Sequence, residues 1–221
     1  DVSLDSSEKA RVTEAAGKYY DALSQEQIDY MNLKQSDVES LYSDHLLSKK
    51  VYAEITKGVN TEVSDDEARI MTLQQIHVDT LQEAEDVMKR LEEGRDFGAA
   101  ASAYSKDSQT TITLGRGEKD RAYEEAAFSL ENDQVSDIIE TEDGYYILKC
   151  ANNFDRDATE ANKVTMVEKR RDEVFTQAYE KLLADTPSEF NSHLWKKVHF
   201  SDWTGEMPAN FMNIYEEYFG N

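Results

Sequence analysis

The chain is poor in cysteine, proline, glycine, histidine and positive charge. One Cys in 221 residues excludes an internal disulfide framework and any zinc site built on cysteines. Four scattered His argue against a metal enzyme, and no metal or cofactor site is expected. Lys and Arg number 24 against 46 Asp and Glu, a net charge of -22. That balance excludes non-specific nucleic-acid binding, which depends on basic side chains neutralising phosphates. No stretch approaches the roughly 18 apolar residues of a membrane span. Two Pro and nine Gly, with frequent Glu, Ala, Lys and Leu, favour helix.

What is present is spread evenly. Net charges of -7, -10 and -5 fall on residues 1–66, 67–154 and 155–221, so there is no acidic tail. Such spread charge reads as solvated faces. The chain opens on Asp1 and a polar stretch, DVSLDSSEKA, which reads as a tether exposed by removal of a leader or by trimming.

Helical spacing dominates both ends. Val12, Ala15, Ala16, Tyr19 and Leu23 mark a first helix after Ser6–Ser7. Capping boxes at Ser24/Gln27, Ser36/Glu39, Ser64/Glu67 and Thr80/Glu83 predict further helix starts. Lys57–Gly58 and Gly94 read as stops. Near the end, Val164 to Leu183 reads as a long amphipathic helix, Trp195 to Phe200 as a short strand, and Phe211 to Phe219 as a final helix. The middle differs. Arg69 to Val78 reads as a strand, followed by helices, a polar loop, a helix at Ala122 to Phe128, and strands at Val135 to Glu140 and Tyr145 to Ala151. Glu142–Asp143–Gly144 is a tight-turn signal. Neither helical arm is large enough for a good core. The expected fold is therefore α+β, with residues 1–66 and 155–221 packed as one helical lobe around an inserted unit at 67–154.

The words of the middle unit are LEEGRDF at 91–97, AYSKD at 103–107, EEAAFSL at 124–130, QVS at 134–136 and TEDGYYILK at 141–149. In this order and spacing they resemble the parvulin (PpiC-type) family of peptidyl-prolyl isomerases over residues 68–153. The flanks, with LLSKKVYAEIT at 46–56, SDDEAR at 64–69 and FMNIYEEYF at the end, resemble the helical chaperone lobe of extracytoplasmic foldases of the PrsA and SurA type. The resemblance implies a four-stranded antiparallel sheet with helices, inserted into a helical chaperone lobe. It implies unfolded or newly exported polypeptides and X–Pro segments as partners, and an extracytoplasmic location. Any membrane attachment would run through an N-terminal lipid tether absent from this chain.

The resemblance also assigns site positions. Prolyl isomerisation makes no covalent bond; the catalyst holds the twisted amide better than the planar one. Family members use two facing histidines, an Asp or Cys, a Thr, and a Met/Phe cup. By alignment, Gln75 and Tyr146 stand where the histidines are expected. Asp107 and Thr141 keep the family residues. Gln75, Asp107, Thr141 and Tyr146 are thus the candidate catalytic positions. Leu114, Lys119 and Tyr123 are the candidate substrate-binding positions, with Lys119 in the Met position and Tyr123 in the Phe position. QTTITLG at 109–115 replaces the family's glycine-rich loop. Lys119 is expected to face solvent or to pair with Glu118 or Asp120, because an unpaired buried lysine is costly. His77, two residues beyond Gln75 on the same strand face, reads first as a partly buried strand residue and second as a displaced substitute for the missing histidine. Cys150 reads as a core thiol, and His193 with His199 as no metal pair. Tyr19, Tyr20, Trp195, Trp203, Phe211, Tyr215, Tyr218 and Phe219 read mostly as the arms' shared core. Three functions stay open: a folding factor whose isomerase activity is weak or lost, an active isomerase with a remodelled site, and a non-catalytic adaptor for one fixed partner.

Overall fold

The structure is a computed structural model, and it describes residues 2–187, 189–197, 205 and 210–220. The fold is α+β, with helices and one four-stranded antiparallel sheet. The chain divides into two compact units: residues 1–59 with 171–221, and residues 60–170. The borders expected from sequence were 66/67 and 154/155.

The first unit is helical. α1 (Ser6–Asp21) starts at Asp5 rather than at Ser6 or Ser7, because Asp5 and Glu8 form a reciprocal capping box. α2 (Gln25–Met31) starts at the Ser24/Gln27 box and ends on Asn32 in the left-handed region, φ 48°. α3 (Gln35–Thr56) is capped at Lys34, two residues before the expected cap at Ser36. The Asp37 carboxylate accepts the Lys34 backbone N–H at 2.8 Å, leaving Ser36 inside the helix. α10 (Phe211–Phe219) packs onto α1 and α3, burying Ile214 and Tyr215 with Val12, Ala15, Ala16, Tyr19, Val38 and Tyr42. Each large side chain taken from water there contributes roughly 1.5–3 kcal/mol. The Tyr42 hydroxyl donates to the Phe211 carbonyl at 2.7 Å, and Lys18 pairs with Glu217 at 2.6 Å. Tyr20, Phe211, Tyr218 and Phe219 pack against this core, whereas Trp195 is exposed beside Phe190. Ser192–Trp195 is a helical turn, α9, not the start of a strand, because the Asn191 side chain caps it by accepting the Leu194 N–H at 3.0 Å. Residues 198–200 of the expected strand, including His199, and Trp203 lie outside the described residues.

The second unit contains the sheet, in the order β2-β1-β4-β3. Its strands are β1 (Met71–Val78), β2 (Thr111–Leu114), β3 (Ile139–Thr141) and β4 (Gly144–Asn152). One face carries Met71, Leu73, Leu114, Leu148 and Cys150 against Tyr123 and Ala127 of α7 (Arg121–Ser129). The other face carries Ile76, Val78 and Ile147 against α5 (Leu81–Glu92) and α6 (Phe97–Tyr104). Thr80 and Glu83 cap α5 as expected from the box, and Gly94 beyond its end takes φ +94°. β3 is shorter than the Val135 to Glu140 strand read from sequence. Val135 makes one bridge to Lys149; then the Ser136 hydroxyl takes the Leu148 N–H at 2.9 Å, and regular pairing resumes only at Ile139. β2 forms in what reads as a polar loop, because Thr111, Ile112 and Thr113 are β-branched and pair with β1.

The unit continues beyond residue 154, to Arg170. α8 (Arg156–Asp185) is fastened by its first half to the segment before β1. Thr159, fully buried, accepts the Ile70 N–H at 3.1 Å. Asn162 donates to the Ala68 carbonyl, and Arg170 donates to the carbonyls of Asn60 and Glu62. Ala68 closes α4 (Asp65–Ala68), which Ser64 caps. No helix among the described residues is long and apolar enough to cross a membrane.

Candidate functional site

β1 places Gln75 and His77 on the α7 face of the sheet, since strand side chains alternate. Both are buried, at 4% and 7% exposure. Tyr146 stands directly opposite His77 on β4. Asp107 follows the Tyr104 end of α6, where the Ser105 hydroxyl accepts the backbone N–H groups of His77 and Asp107. That contact ties the loop to the strand beneath it.

These side chains form one network. Gln75 Nε2 donates to Asp107 Oδ2 at 2.9 Å and to the Gln109 carbonyl at 3.3 Å. Gln75 Oε1 accepts from the Tyr123 hydroxyl at 2.8 Å. His77 Nδ1 lies 3.0 Å from Asp107 Oδ1, and Nε2 lies 3.0 Å from the Asp143 carbonyl oxygen. Both face acceptors, so the two bonds form together only on a ring carrying both N–H protons. The His77 ring stacks on Tyr146, with centroids 4.3 Å apart and planes 9° apart. Tyr123 meets the Tyr146 ring edge-on at 5.2 Å. Burial pushes the Tyr146 phenol up, and the carboxylates of Asp107, Asp143 and Asp120 add to the rise. Burial pushes Tyr123 up as well. Both phenols are therefore neutral O–H donors around neutral pH.

The structure thus brings together Gln75, Asp107, Tyr146 and Tyr123 of the sequence-derived positions. Three others lie apart from the network. The Thr141 hydroxyl donates to the Gly144 carbonyl at 3.1 Å and accepts the Asp143 N–H at 3.3 Å, so it shapes the β3–β4 turn. Leu114 is fully buried in the core beside Met71. Lys119 is exposed, its Nζ 5.8 Å from the Tyr123 ring centroid, and its backbone N–H donates to Glu124. Among the described residues Lys119 has no ion pair with Glu118 or Asp120. His77 is the member of the network that motif alignment passes over. The signal available for it was its two-residue offset from Gln75, which puts both on one face. Among the described residues no group of three or more His, Cys, Asp or Glu is arranged to hold a metal ion.

The family model for the PpiC-type PPIase domain, or rotamase, matches residues 65–152, which contain every member of this network. Residues 65–152 are thus a PpiC-type parvulin domain. This domain sits in a PrsA-like chain. The foldase protein PrsA of Caldanaerobacter subterraneus is 35% identical over 123 residues, covering 48% of this chain and 40% of that protein. Foldase protein PrsA 3 of Bacillus cereus is 24% identical over 206 residues, covering 90% of this chain and 67% of that one. The chain thus spans well under two thirds of the first of these relatives. The crystal structure of a peptidylprolyl isomerase, PrsA, from Bacillus cereus shares the fold with a TM-score of 0.50 at 18% identity, covering 94% of this chain and 80% of that one.

Proposed function

We propose that this chain is an extracytoplasmic protein-folding factor that binds non-native, proline-containing polypeptides, with an isomerase activity that is weak or lost. The observation that carries the reading is the closed state of the network. Gln75 spends its amide on Asp107, Gln109 and Tyr123, and an amide so committed neither gives nor takes a proton. Leu114 and Tyr123 are buried and Lys119 is exposed, so little of a proline cup remains at those positions. Asp107 and Tyr146 are the groups left to meet a peptide. Orientation and desolvation by them supply binding, and at most modest catalysis.

The helical unit supports the same reading. Leu47, Val51 and Ile55 of α3 and Phe175, Tyr179 and Leu182 of α8 line an apolar groove of about 350 Å³. Ile55, Tyr179 and Leu182 are exposed there. Contiguous apolar surface of this kind suits transient hold on unfolded segments. We assign client holding to the helical lobe and X–Pro recognition to the parvulin domain. The extracytoplasmic assignment follows the likeness to PrsA foldases. A net charge of -22 favours basic clients, so client binding is expected to weaken as salt rises.

The second reading, an active isomerase with a remodelled site, is favoured by His77 lying against both Asp107 and Tyr146. Cis/trans exchange measured by NMR on a panel of X–Pro peptides separates the two. Acceleration that Asp107→Ala abolishes sinks the weak-or-lost reading. Absence of acceleration, with suppression of a client's aggregation near equimolar ratio, sinks the enzyme reading.

A further inference from the structure

We propose that His77 is the positioning residue of the X–Pro site, holding the Asp107 carboxylate and the Tyr146 ring where the peptide meets them. The inference rests on the reading above that an X–Pro segment binds here.

A buried histidine satisfied by two acceptors is ordinary; the identity of the partners makes this one unusual. His77 reaches three separate elements of the site. Its Nδ1 holds Asp107, its Nε2 holds the Asp143 carbonyl in the β3–β4 turn, and its ring face carries Tyr146 on β4. The turn is shaped for that approach, since a Cβ on Gly144 would lie 3.0 Å from His77 Nε2.

The Asp107 carboxylate is held at both oxygens, Oδ1 by His77 and Oδ2 by Gln75. It cannot rotate without breaking a charge-assisted bond. Its side chain is still 32% exposed, so free lone pairs face the opening. Tyr146 is held on its face by His77 and on its edge by Tyr123. It is only 8% exposed, and its hydroxyl takes no part in the network that holds the ring. A fixed acceptor and a fixed donor with no partner among the described residues therefore share one site. A peptide that meets groups already held in place binds without the cost of ordering them. His77 touches the peptide through neither atom; it acts through Asp107 and Tyr146.

The test titrates the full chain, ¹⁵N-labelled, with short Ala-X-Pro-Phe peptides and follows backbone amides of β1 and β4. Wild type, His77→Phe and His77→Asn are compared, with thermal midpoints recorded for each. Phe keeps a ring on Tyr146 and removes both N–H bonds; Asn keeps an amide donor for Asp107. His77→Phe is expected to weaken peptide binding about tenfold, and His77→Asn to stay within about threefold of wild type. The midpoint is not expected to predict which variant binds. Wild-type affinity in His77→Phe, or an equal loss in both variants, overturns the proposal. If His77→Phe does not fold, a tenfold loss in His77→Asn overturns it. A wild-type chain that binds none of the peptides overturns the X–Pro reading itself, and this inference with it.

Discussion

Tyr123 sets how firmly the site is closed. Its hydroxyl donates to Gln75 Oε1 at 2.8 Å in a fully buried position. Tyr123→Phe keeps the ring and leaves a buried amide oxygen without its donor. The expected cost is about 1–3 kcal/mol, the desolvation penalty of an unpaired polar group. Urea unfolding followed by circular dichroism measures it, and an unchanged midpoint contradicts a closed network. At this scale the sequence was legible wherever a motif word fixed the count. Gln75 and Tyr146 were placed by counting from Ala84 and from the DGYYILK word. His77 was not, because its meaning lies in Asp107, thirty residues away in sequence and 3.0 Å away in space. No local pattern encodes that reach. Lys119 was legible as a solvent-facing residue from the cost of burying its charge alone.

Elements were legible where a cap or a tight turn marks them. The Ser24/Gln27 and Thr80/Glu83 boxes open α2 and α5 where expected. The start of α3 was misplaced, because Asp37 reaching back to Lys34 competes with the Ser36 box. The break after Val135 was hidden, since Ser136 substitutes a side-chain hydroxyl for a ladder bond, which alternation does not reveal. The β3–β4 turn offers the sharpest test of an element. Gly144 takes φ +134°, and a Cβ there would lie 2.6 Å from the Val78 carbonyl oxygen. Gly144→Ala must shift the hairpin against β1 or strain it in place. We expect a loss of about 1–3 kcal/mol, with disturbed amide shifts at His77 and Tyr146. Thermal unfolding with an amide spectrum checks both, and a variant unchanged in the two contradicts the close approach.

For the whole molecule, the sequence implied that two arms too small for separate cores would combine, and Ile214 and Tyr215 share a core with Val12, Val38 and Tyr42. The border beyond residue 154 was not legible. It depends on Thr159, Asn162 and Arg170 bonding to residues 60–70, about a hundred positions back. The shared core carries a pH dependence. Burial pushes the Tyr42 phenol from its ordinary 10.0 up to about 12, with Tyr19 adding to the rise. The neutral phenol is thus favoured by folding. Its contribution is complete below the unfolded value and is lost as pH rises from about 10 towards about 12. Tyrosinate absorbance and helix content followed across that range should change together; early ionisation with helix content intact contradicts it. On the function proposed above, the Asp107, His77 and Tyr146 site binds X–Pro segments while catalysing their exchange weakly or not at all. The most direct measurement is NMR of the full chain with X–Pro peptides, reading amide shifts and cis/trans exchange in the same sample. Shifts centred on β1 and β4, lost in Asp107→Ala, with little acceleration of exchange, are the expected result. Strong acceleration, or shifts that Asp107→Ala leaves intact, would contradict it.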